Sequence, residues 1–264
     1  MKCLRPKNIG NPKTGEQITV RCLRCYPCQQ FRAQNWTIRL SEESRHSIGN
    51  WFITLTLADE HLTYSDYNPT LSKRDLQLFW KRLRKKAESI HHKIKYYAVG
   101  EYGSETKRPH YHAILFNTKI KDKDLIEAMV KYSWEKGHIF IGDVTPLSIR
   151  YVAGYLEKGI YGERLTEGIL REFNCMSKQL GISYVNQNKS YHEQNKNFNY
   201  GRSELPKALP RYYREKIFSP DDLVQFSQQI KESYTAQTIK QEEDDYVARL
   251  NRVKSIRSLN KKRL

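Results

Sequence analysis

Two neighbouring stretches, KYYAVGEY at Lys95–Tyr102 and HYHAILFN at His110–Asn117, decide how the rest of the chain is read. Both are rich in β-branched and aromatic residues, which favour strands. The connector Gly103-Ser104-Glu105-Thr106-Lys107-Arg108-Pro109 is turn chemistry. Together they predict an antiparallel hairpin with its tip near Glu105–Thr106. Alternation puts His110 and His112 on one face, about 7 Å apart along the strand, and Tyr111 on the other. Pairing about that tip sets Glu101 opposite residues 110 to 112, and opposed residues share a face. Two imidazoles and a carboxylate form a candidate site for a divalent cation such as Mg²⁺ or Mn²⁺. The alternative is a half-exposed sheet with two polar residues and a cross-strand Glu–His or Glu–Lys pair.

Upstream, Trp51–Leu57 is β-branched and aromatic and reads as a strand. Residues 72–91 then place Leu76, Phe79, Trp80, Leu83, Ala87 and Ile90 on one face at helical spacing. Ser72 with Asp75 resembles a capping box. Basic side chains cover the opposite face. Downstream, Asp122–Trp134 predicts a helix with Leu125, Ile126, Met129 and Val130 inward, and His138–Val144 a fourth strand. Thr145-Pro146 opens a further helix, with Thr as N-cap and Pro in the first turn. The order β-α-β-β-α-β plus a helix predicts an α+β domain: a ferredoxin- or RRM-like antiparallel sheet with helices on one face. Three segments are expected: a Cys-rich N-terminal segment and helix packed on the core over 1–48, a core over 49–160, and a mostly helical extension over 161–264. Residues 186–200, rich in Asn and Gln, read as a loop whose aromatic residues are candidates for base stacking. Residues 219–245 read as helix.

In the helix after Pro146, Ile149, Val152, Ala153 and Leu156 form one apolar stripe. Tyr151, Tyr155 and Lys158 cluster on another face, so the stripe is expected to anchor the helix while the phenols project elsewhere. Two amphipathic tyrosines beside a core are the plain reading. The functional one is a pair of nucleophiles, since a phenol can attack phosphorus and form a phosphotyrosine. Lys158 is then a cation that offsets developing negative charge. Gly154, a poor helix former, leaves room for a DNA strand to approach.

The chain carries 46 Lys and Arg against 29 Asp and Glu, a formal charge of +17. A balance so basic favours polyanion partners, nucleic acid before acidic membrane. Residues 1–50 and 246–264 hold most of the excess, at +6 and +7, while 101–200 are nearly neutral. Solvated tails and arms on a phosphate backbone both fit this distribution. Within the middle, Lys81, Arg82, Lys85, Lys86 and Arg108 are candidate DNA contacts. No apolar run approaches a membrane span and the N-terminus lacks an apolar signal segment, so a soluble intracellular protein is expected. Cys22, Cys25 and Cys28 form a CxxCxxC run, with Cys3 upstream and Cys175 far downstream. An odd count in such a protein argues against a disulfide framework. Cys3 with the run suits a closed Zn²⁺ site. An iron–sulfur cluster and free thiols are the alternatives. Cys175 reads as an ordinary buried thiol.

Three segments in order resemble the motifs of HUH endonucleases: Phe52-Ile53-Thr54-Leu55-Thr56, Pro109-His110-Tyr111-His112-Ala113, and Tyr151-Val152-Ala153-Gly154-Tyr155-Leu156-Glu157-Lys158. The two-tyrosine form with a trailing lysine is similar to rolling-circle replication initiators, and the whole chain resembles those of gokushovirus-like microviruses, small single-stranded DNA phages. The resemblance implies the HUH fold, with His110 and His112 as metal ligands beside Glu101, Tyr151 and Tyr155 as nucleophiles, and Lys158 as the assisting cation. It implies that one tyrosine nicks single-stranded origin DNA, keeps the 5′-phosphate, and frees a 3′-OH for the host polymerase. The second tyrosine then cuts after one round, and the strand is rejoined as a circle. A similar CxxC segment in those initiators implies a shared structural role. The host bacterial cytoplasm is the implied setting, with a host helicase as partner. A non-catalytic DNA-binding repressor, or a transposase or relaxase with the same chemistry, is the alternative.

Overall fold

The computed structural model describes residues 3–11, 15, 17–88, 93–103, 105–158, 168–201, 207–232, 248 and 251, the side chains of 88, 156–158 and 230–232 excepted. The chain forms two compact units, Arg32–Asn188 and Met1–Phe31 with Lys189–Leu264. The hairpin of β1 (Lys7–Gly10) and β2 (Gln17–Val20) opens the chain. Helix α1 (Tyr26–Arg45) begins in the discontinuous unit and ends in the continuous one. There follow β3 (Trp51–Thr56), a short hairpin of β4 (Thr63–Ser65) and β5 (Asn68–Thr70), and α2 (Lys73–Glu88). Next come β6 (Lys95–Tyr102), β7 (Pro109–Phe116), α3 (Lys123–Trp134), β8 (Ile139–Asp143), α4 (Pro146–Lys158) and β9 (Phe173–Met176). Helix α5 (Ile182–Asn195) leads back into the discontinuous unit, which continues with β10 (Asn199–Tyr200), β11 (Lys207–Ala208), α6 (Arg211–Ile217) and α7 (Pro220–Glu232).

In the continuous unit, five strands form one antiparallel sheet in the order β8-β3-β7-β6-β9. The β-α-β-β-α-β order with a helix behind it is the expected one; β9 is an extra edge strand. Strand alternation divides the core between two faces. Ile53, Leu55, Tyr111, Ala113 and Leu115 face α2 and α3, whose Leu76, Phe79, Leu83, Ile126 and Val130 fill that layer. Tyr97, Val99, Ile114 and Phe116 face the other way, onto Leu40 of α1 and Ile149, Val152 and Ala153 of α4. Helices therefore cover both faces, not one as expected. The reason is visible in β6 and β7, whose residues are buried on alternate sides with almost no exception.

The caps explain where the helices begin. The Ser72 hydroxyl accepts from the Asp75 N–H at 3.1 Å, but the Asp75 carboxylate pairs with Lys136. Thr145 and Ser148 bond reciprocally, Ser148 N to Thr145 Oγ1 at 3.1 Å and Thr145 N to Ser148 Oγ at 2.8 Å. This fixes the start of α4 as a capping box does. Two expectations are corrected. Leu125 is exposed, because Ile126, Met129, Val130 and Ser133 form the buried stripe of α3. Residues 186–195 belong to α5, whose Tyr184, Val185 and His192 supply enough buried surface to order a helix that is otherwise polar. Phe198, a candidate for base stacking, is instead buried, stacked on Phe218 at 4.1 Å and Phe226 at 3.6 Å. Residues 233–245 of the expected C-terminal helix, Ile90, and nearly all of the basic tail fall outside the described residues. No described helix is long and apolar enough to cross a membrane.

Candidate metal centre and tyrosine helix

The β6–β7 register pairs Glu101 directly with His110. His112 lies two residues on, so all three side chains share the face that carries α4. The Nε2 atoms of His110 and His112 lie 2.7 and 3.0 Å from the same Glu101 Oε1. All three candidate ligand atoms lie within 4.8 Å of one another. Each imidazole is held by its other nitrogen. His110 Nδ1 donates to the Arg108 carbonyl at 3.1 Å, and His112 Nδ1 hydrogen-bonds Thr54 Oγ1 at 2.9 Å across the β3–β7 ladder. Both rings thus present Nε2 to one point, as outer-shell partners of metal-ligating histidines do. The donor set fits a divalent cation.

Burial works against charge here, but the pair overrides it. Hydrogen bonds from His110 and His112 hold the buried Glu101 carboxyl below its usual range, and the bond to Glu101 raises His110 despite its desolvation.

Helix α4 brings both tyrosines to this centre. The rings of Tyr151 and Tyr155 lie 5.3 and 5.4 Å from that of His112, the first edge-on and the second stacked. The two phenol rings are 4.5 Å apart. Their exposures differ: 46% for Tyr151 and 5% for Tyr155. The expectation that both project away from the sheet is corrected for Tyr155, which joins the apolar cluster beneath α4 because His112 and Val99 offer it a wall. Burial, then its hydrogen bond with Tyr151 and the Glu101 charge, push its phenol far above the usual value. The backbone of Lys158 ends α4, while its side chain lies outside the described residues.

Phe52, Thr54, His112, Phe140, Tyr151 and Tyr155 line an open cleft of about 780 Å³ beside the tyrosines. Phe140, 58% exposed on edge strand β8, is a residue that reading by motif misses. Its signal was the register Thr54↔Phe140, one row from His112. Glu172, just before β9, was missed as well; its carboxylate accepts from the Tyr102 N–H at 3.3 Å.

The candidate DNA contacts separate. Arg82 donates to the carbonyls of Ser133 at 2.7 Å and Trp134 at 3.3 Å, so its guanidinium closes the C-terminus of α3. Arg108 donates to the Leu57 carbonyl at 2.7 Å and pairs with Asp59, which clamps the entry of β7 onto the exit of β3. Lys81, Lys85 and Lys86 are exposed on α2, behind the sheet from the metal centre.

In the discontinuous unit, the Sγ atoms of Cys3, Cys22, Cys25 and Cys28 lie within 4.8 Å of one another. Leu23, at φ 59°, turns the chain so that Cys22 and Cys25 meet. Backbone N–H groups point at sulfur: Cys22 N to Cys3 Sγ at 3.2 Å, Cys25 N to Cys22 Sγ at 3.3 Å, Leu4 N to Cys25 Sγ at 3.4 Å. Burial works against the Cys22 thiolate, yet hydrogen bonds from the Arg24 and Cys25 backbone bring its pKa down to about 6. Burial pushes Cys28 up to about 12. Four converging sulfurs fit a closed tetrahedral metal site. Cys175 stands apart on β9, half-buried, its thiol raised by burial to about 11.

A family model described as replication-associated protein ORF2 matches residues 50–160. The replication-associated protein ORF2 of Spiroplasma virus 4 is 32% identical over 228 residues, covering 72% of this chain and 71% of its own. The replication-associated protein VP4 of Bdellovibrio phage phiMH2K is 28% identical over 292 residues, covering 95% and 90%. The replication-associated protein ORF4 of Chlamydia phage 1 is 28% identical over 186 residues, covering 62% and 45%. No solved structure matches.

Proposed function

The chain belongs to the family of replication-associated ORF2 proteins of small phages, and we propose that its role there is that of a metal-dependent HUH endonuclease and strand transferase that initiates rolling-circle replication. One observation carries this reading: Glu101, His110 and His112 converge within 4.8 Å, with two tyrosine rings packed on His112. Bound through Glu101 and the two Nε2 atoms, Mg²⁺ or Mn²⁺ would supply Lewis-acid polarisation of a scissile phosphate.

The chain's own groups do the rest. A phenol oxygen of α4 attacks phosphorus; the new P–Oη bond forms as the P–O3′ bond breaks. The phenolic proton ends on the departing 3′-oxygen, leaving a 5′-phosphotyrosine and a free 3′-OH. That 3′-OH primes the host polymerase on strand opened by a host helicase, in the bacterial cytoplasm. After one round the second tyrosine repeats the transfer, and the 3′-OH of the first strand closes the circle. Lys158 serves as the counter-charge to the phenolate. Thr54 and the Arg108 carbonyl keep both imidazoles aimed. Exposed Phe140 and Tyr151 give the cleft aromatic faces on which bases of a single strand stack. Lys81, Lys85 and Lys86 act on a different stretch of DNA from the one being cut. The four N-terminal thiols hold one structural Zn²⁺.

The test is covalent capture. Single-stranded oligonucleotides tiled across the phage origin are incubated with protein and Mn²⁺ and resolved on a denaturing gel. An EDTA-sensitive adduct, absent from the Tyr151→Phe/Tyr155→Phe double variant, is expected. No adduct with any tile would overturn the reading.

A further inference from the structure

Strand β9 adds a residue to the metal centre that no motif contains. Its pairing with β6 sets Phe173 opposite Gly100 and Asn174 opposite Val99. Alternation then separates Phe173 and Cys175, packed on the α2–α3 side, from Asn174, which donates to Tyr97 Oη at 3.2 Å, and Met176, packed on the α4 side. Glu172, one step before Phe173, shares the side of Asn174 and Met176. Continued one position, the register puts Glu172 opposite Glu101, and the Tyr102 N–H to Glu172 Oε1 bond is local evidence of that proximity. One row across three strands thus reads Glu172, Glu101, His110. Adjacent side chains in such a row stand about 5 Å apart at Cβ.

We propose that Glu172 is a positioning residue of the metal centre, an outer carboxylate that reaches the divalent ion through its retained water and biases the site toward hard cations. This rests on the metal-dependent reading above. Glu172 is not one of the three side chains whose ligand atoms converge within 4.8 Å, so it stands outside the direct ligand set. Two imidazoles and one carboxylate alone also suit Zn²⁺. Mg²⁺ and Mn²⁺ favour oxygen ligands, and Mg²⁺ keeps several waters that a second carboxylate can hold. The Glu172 charge is already felt at the centre, where it helps to raise both His110 and Tyr155.

Glu172→Gln removes the charge and keeps an oxygen for the Tyr102 N–H, so the sheet edge is preserved. Mn²⁺ binding is read by the electron paramagnetic resonance signal of free Mn²⁺ in titrations of wild type, Glu172→Gln, Glu172→Asp and Glu101→Gln. Melting of the metal-free proteins is measured in parallel. The expected result is Mn²⁺ affinity about 10- to 100-fold weaker in Glu172→Gln, partly restored in Glu172→Asp, with the metal-free melting temperature unchanged. Glu172→Gln within twofold of wild type, while Glu101→Gln loses binding, overturns the role of Glu172 alone. Weaker binding with an equally lowered metal-free melting temperature also overturns it, in favour of a purely structural residue. A wild-type protein that takes up no Mn²⁺ overturns both this inference and the metal-dependent reading.

Discussion

Glu101 and His110 form the pair on which the site's electrostatics turn. His110 titrates higher in the fold than outside it, so its stabilising contribution is full below the ordinary imidazole value and lost as pH rises through the raised one. Glu101 titrates lower, so its contribution is full above the ordinary carboxyl value and lost as pH falls through the lowered one. In metal-free protein the pair therefore contributes most between about pH 4.5 and 6.5. Glu101→Gln should cost about 1–3 kcal/mol within that window and less on either side. Calorimetric melting of both proteins from pH 4 to 9 checks this; parallel profiles would refute it. The pair was legible in the sequence because a two-residue strand spacing and a short hairpin fix which side chains meet. Glu172 was not legible, because the register that brings it there is set by tertiary pairing of a four-residue strand 70 residues downstream of the Tyr102 amide it accepts from.

At the scale of elements, α4 joins sheet to chemistry through one weak point, Gly154. A Cβ built there meets nothing within 4 Å, and the residue lines the cleft. Gly154→Ala should stabilise the protein by about 0.5–1 kcal/mol through helix propensity while slowing nicking, if the open space is where DNA passes. Denaturant unfolding and single-turnover cleavage measured together decide, and a variant both stabler and fully active would contradict the assignment. Helix α2 presents Lys81, Lys85 and Lys86 on the side of the sheet away from the cleft. Changing all three to Glu should weaken binding to long origin DNA more than to short oligonucleotides. It should also flatten the dependence of log K on log salt by about 0.9 for each phosphate left unneutralised. Equal losses on long and short DNA would place α2 in the scissile-strand path instead. Both helices were legible from apolar spacing and cap residues. Helix α5 was not: Ile182–Asn195 is almost evenly polar around its axis, and only its neighbours in the fold order it.

Across the whole molecule, charge and chemistry are kept apart. The net +17 is concentrated near the two ends and on α2, while the residues around the metal centre are nearly neutral. A site built this way depends on a bound cation for positive charge at the scissile phosphate, and it explains why net charge points to a nucleic-acid partner yet not to the catalytic residues. The sequence order of strands and helices foretold the central sheet, but not that it is covered on both faces. One-face burial is the common pattern for antiparallel sheets, and the alternating residues of β6 and β7 are apolar on both sides. The cysteine centre is separate again. Purified protein should carry about one equivalent of zinc, and Cys25→Ser should lose it and expose residues 1–25 to limited proteolysis. Less than about half an equivalent of zinc or iron in wild type would reject the centre.

The central claim is that α4 carries the nucleophile. It is tested most directly by digesting the Mn²⁺-dependent protein–DNA adduct with trypsin and nuclease and locating the residual nucleotide mass by tandem mass spectrometry. The mass is predicted on Tyr151 or Tyr155 in the wild type, and on the remaining tyrosine in each single Tyr→Phe variant. A nucleotide found on any other residue, or an adduct that survives in the double variant, would contradict the account.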